Sequence, residues 1–280
     1  MTTHKFRAFA ALHVPGDPLI LYNAWDAGSA RAVANAGAKA VATGSWSVAA
    51  AQAYGDGEGL PLELALAGAT RIAGAVDLPV SIDFEGGYAV EPKDIAANAK
   101  RLAATGAIGC NFEDQVVGGD GLHPIGFQVA RIAAMRGATG AAFFINARTD
   151  IFLQNGPDTH DDAKVDAAIE RGRAYAGAGA SGFFVPGLVD LTLLGRICRE
   201  VALPINFMAF PGAPGSREVA DVGVSRISHG PNPYRTAMAA LTAAAQAAFD
   251  WNQAEVTPPA RPRSQPRRPG GSRTRTRPAR

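Results

Sequence analysis

Residues 79–114 read PVSIDFEGGYAVEPKDIAANAKRLAATGAIGCNFED. Two short apolar runs, 79–85 and 109–114, flank a stretch of helical period at 91–106. Strand, helix and strand in that order make a βαβ unit, whose strands pair in parallel. The pattern repeats outward on both sides. Before it stand LILYNAW (19–25) and AVATGS (40–45). After it stand AFFINARTD (142–150), GFFVPG (182–187), PINFMAF (204–210) and VSRISHG (224–230). Helical patterns fill the gaps, and Gly37, Gly106 and Gly179 stand where helix C-caps belong. Eight units in about 230 residues predict an α/β fold, a single-domain (β/α)8 barrel. A doubly wound open sheet is the competing arrangement. The first strand–helix turn, AWDAGSAR (24–31), lacks the GxGxxG that such sheets use for dinucleotides.

Composition narrows the class. The 280 residues are 47% hydrophobic and 19% charged, enough to bury a large core. Two cysteines, Cys110 and Cys198, cannot build a disulfide framework and point to a reducing, cytoplasmic setting. The first residues, MTTHKFRAFAALHVPGD, contain no secretory apolar core, and no run is long enough to span a membrane. The formal charge of +2 conceals an asymmetry, because residues 257–280 carry eight arginines and no acid. Without them the body, residues 1–256, stands near −6, so nothing in it suggests a nucleic-acid surface. The Pro/Arg-rich tail, 257–280, is expected to be disordered.

Polar residues at the C-terminal ends of barrel strands face the active site. Alternation puts Asp83 and Glu85 on one strand face. The next two strands end in Asn111-Phe112-Glu113-Asp114 and Asn146-Ala147-Arg148-Thr149-Asp150. Neighbouring strands lie about 5 Å apart, so Asp83, Glu85, Glu113 and Arg148 are expected at one mouth. Crowded carboxylates repel unless a cation joins them, and Mg²⁺ takes one or two carboxylates plus waters. Arg148 offers a planar fork for a substrate carboxylate.

These residues carry a resemblance. The chain resembles the isocitrate lyase/phosphoenolpyruvate mutase superfamily over roughly residues 5–250. The resemblance rests on YNAWDAGSAR (22–31), TGSWSVAAAQAYGDGEG (43–59), SIDFEGGY (81–88), NFEDQ (111–115) and NARTD (146–150). It implies that Asp83, Glu85 and Glu113 form a site for Mg²⁺ or Mn²⁺. It implies that Thr43, Gly44 and Ser45 cradle the substrate carboxylate, with Trp46 beside them. Asp56 matches an acid near substrate and metal, Arg148 the strand 5 arginine that touches substrate, and Asn206 a strand 7 asparagine. The implied activity is cleavage or rearrangement of a C–C or P–C bond in a small 2-oxo or 2-hydroxy acid, through a metal-stabilised enolate. Oxaloacetate- and phosphonopyruvate-like substrates and a phosphoenolpyruvate mutase-like enzyme fit best. A homo-oligomer, dimer or tetramer, with an exchanged last helix is implied too.

The sequence also departs from the pattern. Lyases of the superfamily carry a catalytic cysteine after strand 4, and the phosphonate enzymes carry Lys and Asn. This chain reads Gln115-Val-Val-Gly-Gly-Asp-Gly-Leu-His-Pro124 there. Cys110 is on the opposite strand face from Asn111 and Glu113 and is expected to point toward the helices. In the glycine-bearing loop, Asp120 and His123 remain, and His123 is expected as a general acid or base over the substrate. Strand 6 ends Val185-Pro186-Gly187, where relatives place Glu or His. Alternatives are a 2-methylisocitrate lyase-like C–C lyase, a class II aldolase-like pyruvate lyase and a non-catalytic barrel that binds small carboxylates.

Overall fold

The computed structural model describes residues 2–254, so the tail expected at 257–280 lies outside the described residues. Eight parallel strands alternate with helices: β1 (Leu19–Leu21), β2 (Val41–Ala42), β3 (Val80–Asp83), β4 (Gly109–Glu113), β5 (Phe144–Arg148), β6 (Gly182–Phe184), β7 (Ile205–Met208) and β8 (Arg226–Ser228). Every strand falls inside one of the eight expected runs. Hydrogen-bonded order runs β1-β8-β7-β6-β5-β4-β3-β2. The seam between β1 and β2 is bridged just beyond the strands, where Ala24 N donates to Ala42 O at 2.8 Å and Ala24 pairs with Thr43. The fold is a (β/α)8 barrel.

Ten α-helices are described: α1 (Thr2–Ala11), α2 (Ala27–Asn35), α3 (Ser45–Ala50), α4 (Leu62–Ala75), α5 (Pro92–Ala104), α6 (Ile125–Thr139), α7 (Asp162–Gly177), α8 (Leu191–Glu200), α9 (Ser216–Asp221) and α10 (Asn232–Ala254). Local chemistry sets their ends. Asp26, Asp161 and Asp190 accept backbone N–H groups as N-caps of α2, α7 and α8. The three expected C-cap glycines all adopt positive φ. The chain divides into two units after Ala237. The first holds the barrel, and the second, as far as Ala254, continues α10.

Two helices were not expected from the sequence. The short α3 starts at Ser45, inside a stretch read as the end of a strand. Helix α1 closes the floor of the barrel. Its Phe9 is fully buried and packs with Leu19, Leu21, Ala40, Ala42, Ile108 and Phe144. His13 follows, stacked on Phe144 at 4.4 Å, with Nδ1 against Phe9 O at 2.8 Å. Burial, reinforced by the Arg226 charge, lowers its pKa from the ordinary 6.5 to about 3.

That shift has a sign. The unfolded chain protonates His13 below about pH 6.5 and the folded chain does not until about 3, so acid costs stability across that window. The slope approaches roughly 1.4 kcal/mol per pH unit. Urea unfolding of the wild type and of His13→Phe at pH 7 and pH 5 is expected to show a smaller acid loss in the variant. Equal losses would place His13 in contact with water.

Candidate active site

The mouth is built at the C-terminal strand ends. Asp83 closes β3, and its backbone N–H donates to Thr43 Oγ1 at 2.8 Å. Its Oδ2 accepts the Ser45 amide at 2.9 Å, and its Oδ1 accepts Asn111 Nδ2 at 3.1 Å. Below lies a buried polar layer, where Asn111 Oδ1 accepts both Asn146 Nδ2 (2.9 Å) and Arg226 Nη2 (3.1 Å). Arg226 is fully buried with Nε and Nη1 unpartnered, and burial lowers its pKa to about 10.

Glu85 lies beyond the strand in the left-handed region, φ +49°. Gly87 completes this elbow at φ +85°, and a Cβ there would sit 2.7 Å from Ile95. Glu85 Oε2 accepts the Glu58 amide at 2.6 Å and Oε1 accepts the Tyr88 hydroxyl at 3.1 Å. Burial, with Asp83 and Asp56 nearby, lifts its pKa to about 7.

Glu113 pairs with Arg148 Nη1 at 2.9 Å. Arg148 also grips Asp150 through Nε (2.6 Å) and Nη2 (2.9 Å). Burial opposes the charge of Arg148, yet Glu113, Asp150 and Asp83 outweigh it and hold the guanidinium charged. Glu113 is pushed well above the carboxylate range, because burial and the neighbouring acids exceed what one shared arginine returns. Asp56, on the loop after α3, lies near the same mouth, and desolvation and the Asp83 charge raise its carboxyl pKa. The structure therefore brings Asp56, Asp83, Glu85, Glu113 and Arg148 together around a mouth short of positive charge.

Among the described residues, no three acidic, His or Cys side chains form a ready-made metal cage. The donor set is nonetheless all oxygen and partly unneutralised. That suits a hard cation held by one or two carboxylates and by water. The residues fit Mg²⁺ on those terms.

The other expected site residues are placed as follows. Thr43 and Ser45 are at the mouth, but the Ser45 amide, expected for the substrate carboxylate, is engaged by Asp83. Asn206 is fully buried within the barrel, with Nδ2 unpartnered. Trp46 is half-buried against Tyr234, with the Arg235 guanidinium over its ring. His123 is not over the mouth. Gln115 and Leu122 pair in a tight hairpin, which turns the chain back so that His123 N donates to Asp114 O at 2.8 Å. Its ring packs on Phe127 and lines a cavity of about 150 Å³ with Glu58, Tyr88 and Arg131. Burial and the charges of Arg131 and Arg171 lower its pKa.

Asp150, Asn111, Glu58 and Tyr88 were missed as site residues. Asp150 was visible in NARTD, two positions after Arg148. Cys110 points toward the helices, as its strand parity predicts: Sγ lies 3.6 Å from Met135 Sδ, fully buried, with its thiol pKa raised. Cys110→Ser is expected to leave Mg²⁺-dependent ligand affinity within about twofold, because an inert buried thiol takes no part in chemistry. A complete loss of binding from a folded variant would contradict that.

The phosphoenolpyruvate phosphomutase family model matches residues 9–249. The chain belongs to this family. A solved structure from Burkholderia cenocepacia J2315, provisionally named a phosphonomutase, is 46% identical with a TM-score of 0.86; the match covers 89% of this chain and all of that one. The 2-methylisocitrate lyase of Escherichia coli K12 is 31% identical over 158 residues, 51% of this chain and 49% of that enzyme. A phosphonopyruvate hydrolase solved with oxalate and Mg²⁺ shares the fold at 21% identity, a TM-score of 0.78 and 90% coverage of both chains. Relatives and structural neighbours include lyases, mutases and hydrolases, and this family member is an enzyme of the isocitrate lyase/phosphoenolpyruvate mutase superfamily. No helix among the described residues is long and apolar enough to cross a membrane.

Proposed function

We propose that the protein is a Mg²⁺-dependent lyase or mutase that breaks a C–C or P–C bond in a small 2-oxo or 2-hydroxy carboxylate. The observation that carries this is the charge-starved mouth, where Asp56, Asp83, Glu85 and Glu113 crowd one arginine already divided between Glu113 and Asp150. Asp83, Glu85 and Glu113 would hold the cation, part of the contact running through water. Bound there, Mg²⁺ supplies a Lewis acid that polarises the oxygen next to the breaking bond. Mn²⁺, equally content with oxygen donors, would serve the same residues.

The chain's own groups do the rest. Arg148, fixed by Asp150, presents a rigid positive edge toward substrate. Thr43 and Ser45 bring a hydroxyl and a helix-start amide to the same rim, the amide becoming available if Asp83 turns toward a cation. The end of β6 supports a small substrate. The loop at Gly187 packs against the backbone of Phe152, and Val185 is buried, so no charged side chain from this strand end reaches for a second distal group. A thiol-dependent lyase is not favoured, since the hairpin carries no cysteine and Cys110 is sealed.

We further propose a cytoplasmic homo-oligomer, dimer or tetramer. A groove of about 780 Å³ beside β1 and α2 leaves Val14, Ile20 and Tyr22 exposed, apolar surface that a second copy would cover.

Oxalate, a planar mimic of enolpyruvate, tests the central proposal. Calorimetry is expected to show binding with Mg²⁺ and none in EDTA. A folded protein that ignores oxalate in both conditions would be a barrel that keeps the family's residues without its chemistry.

A further inference from the structure

The segment between α3 and α4, residues 51–61, carries Asp56 and has no helix or strand of its own. Three hydrogen bonds join it to the elbow after β3 or brace that elbow. The Glu58 amide donates to Glu85 Oε2 at 2.6 Å, the Tyr88 amide donates to Glu58 Oε1 at 2.7 Å, and the Tyr88 hydroxyl donates to Glu85 Oε1 at 3.1 Å. The residues involved are conformationally costly. Glu58, Glu85 and Tyr88 all sit at φ between +49° and +59°, as non-glycine residues rarely do. Such backbone persists only where surroundings over-determine it, and it clusters at functional sites. The fit is close on the side-chain side too, since a Cβ on Gly86 would sit 3.0 Å from Glu58 Oε1 and 2.9 Å from Val117 of the hairpin.

We propose that Glu58 is a positioning residue, a clip that locks the Asp56-bearing loop onto the Glu85 elbow and so sets Asp56 over the mouth. The inference rests on Glu85 and Asp56 belonging to the active site. Its backbone fixes Glu85, its carboxylate fixes the residue three positions further on, and Asp56 is only two residues away. The elbow is also held by Arg131, which donates to Gly86 O at 2.6 Å, and by Asn98, which donates to Gly87 O at 3.0 Å, so releasing the clip frees the loop more than the elbow.

Amide hydrogen exchange of the metal-free protein reads the clip directly, and Mg²⁺–oxalate calorimetry reads its consequence. In Glu58→Ala, exchange across 52–60 and at the Tyr88 amide is expected to rise about tenfold while the strands keep their protection. Oxalate affinity in Mg²⁺ is expected to fall about tenfold, the scale of a lost outer contact. Glu58→Gln, whose carbonyl still accepts the Tyr88 amide, is expected to restore most of both. Tyr88→Phe keeps the Glu58 bonds and is expected to leave the 52–60 exchange unchanged, which covers the case of a Glu58→Ala protein that does not fold. Wild-type exchange in Glu58→Ala, or a Gln variant as loose as Ala, would overturn the proposal. If wild-type protein fails to bind Mg²⁺–oxalate, the metal assignment fails, and the exchange data still decide the clip.

Discussion

Glu113→Gln is expected to abolish Mg²⁺-dependent oxalate binding, weakening it by about 100-fold or more, and to stop turnover of any 2-oxo acid that the wild type cleaves. The substitution removes one acid of the three that would hold the cation. It keeps the shape, and Gln retains a carbonyl to accept Arg148 Nη1 at the 2.9 Å position now held by Glu113 Oε2. Arg148 also keeps both bonds to Asp150. The fold should not suffer. Burial and surrounding acids already work against a charge on Glu113, so a neutral amide relieves repulsion. The melting temperature is expected to stay within a few degrees of wild type, or to rise, in the absence of metal. Retained Mg²⁺-dependent turnover in the variant would sink the metal assignment. A collapse of the fold would recast Glu113 as a structural partner of Arg148.

Asp114→Ala is expected to produce the largest loss of stability of any single change at the strand ends, about 3–5 kcal/mol. Asp114 is one residue from Glu113 but faces the other way and is fully buried. Its Oδ2 accepts Arg171 Nη1 at 3.0 Å and the Tyr175 hydroxyl at 2.7 Å, both on α7. Its Oδ1 accepts the Asp150 amide at 3.1 Å. Truncation leaves Arg171 without its counter-charge and frees the backbone of Asp150, the residue that holds Arg148. Denaturant unfolding measures the first effect. A weaker oxalate response measures the second. Asp114→Asn keeps the Oδ1 acceptor and is expected to lose less of both. A loss under about 1 kcal/mol for Asp114→Ala would show that water replaces the carboxylate, against its burial.

The contrast between Glu113 and Asp114 shows how far the sequence could be read. Strand parity pointed Glu113 to the mouth; it was not applied to Asp114, which the same alternation turns toward the helices. The same parity put Cys110 on the helix side; Glu85 lies past the end of β3, where a left-handed backbone, not strand alternation, sets its direction. The barrel followed from eight apolar runs spaced by helical periods. Helix α1 was not read from the sequence, although Phe6, Phe9, Ala10 and His13 stand at helical spacing.

What stayed hidden were interactions between loops. Glu58 meets Glu85 across 27 residues, and Arg171 meets Asp114 across 57. No periodicity reports such pairs. His123 was placed over the substrate from its position in a glycine-bearing loop, yet a hairpin pairing Gln115 with Leu122 turned it onto α6. The Ser45 amide likewise stood ready for a substrate on paper and is held by Asp83 in the fold.

By itself, the sequence determined the barrel and the concentration of acids at its strand ends, since periodicity and strand alternation are local properties of the chain. Only the tertiary structure decided how those charges are shared: Arg148 divided between Glu113 and Asp150, Glu85 clipped by Glu58, and Asp114 spent on α7. Electrostatic energy depends on distance and burial, and both are set where loops distant in sequence close over one mouth.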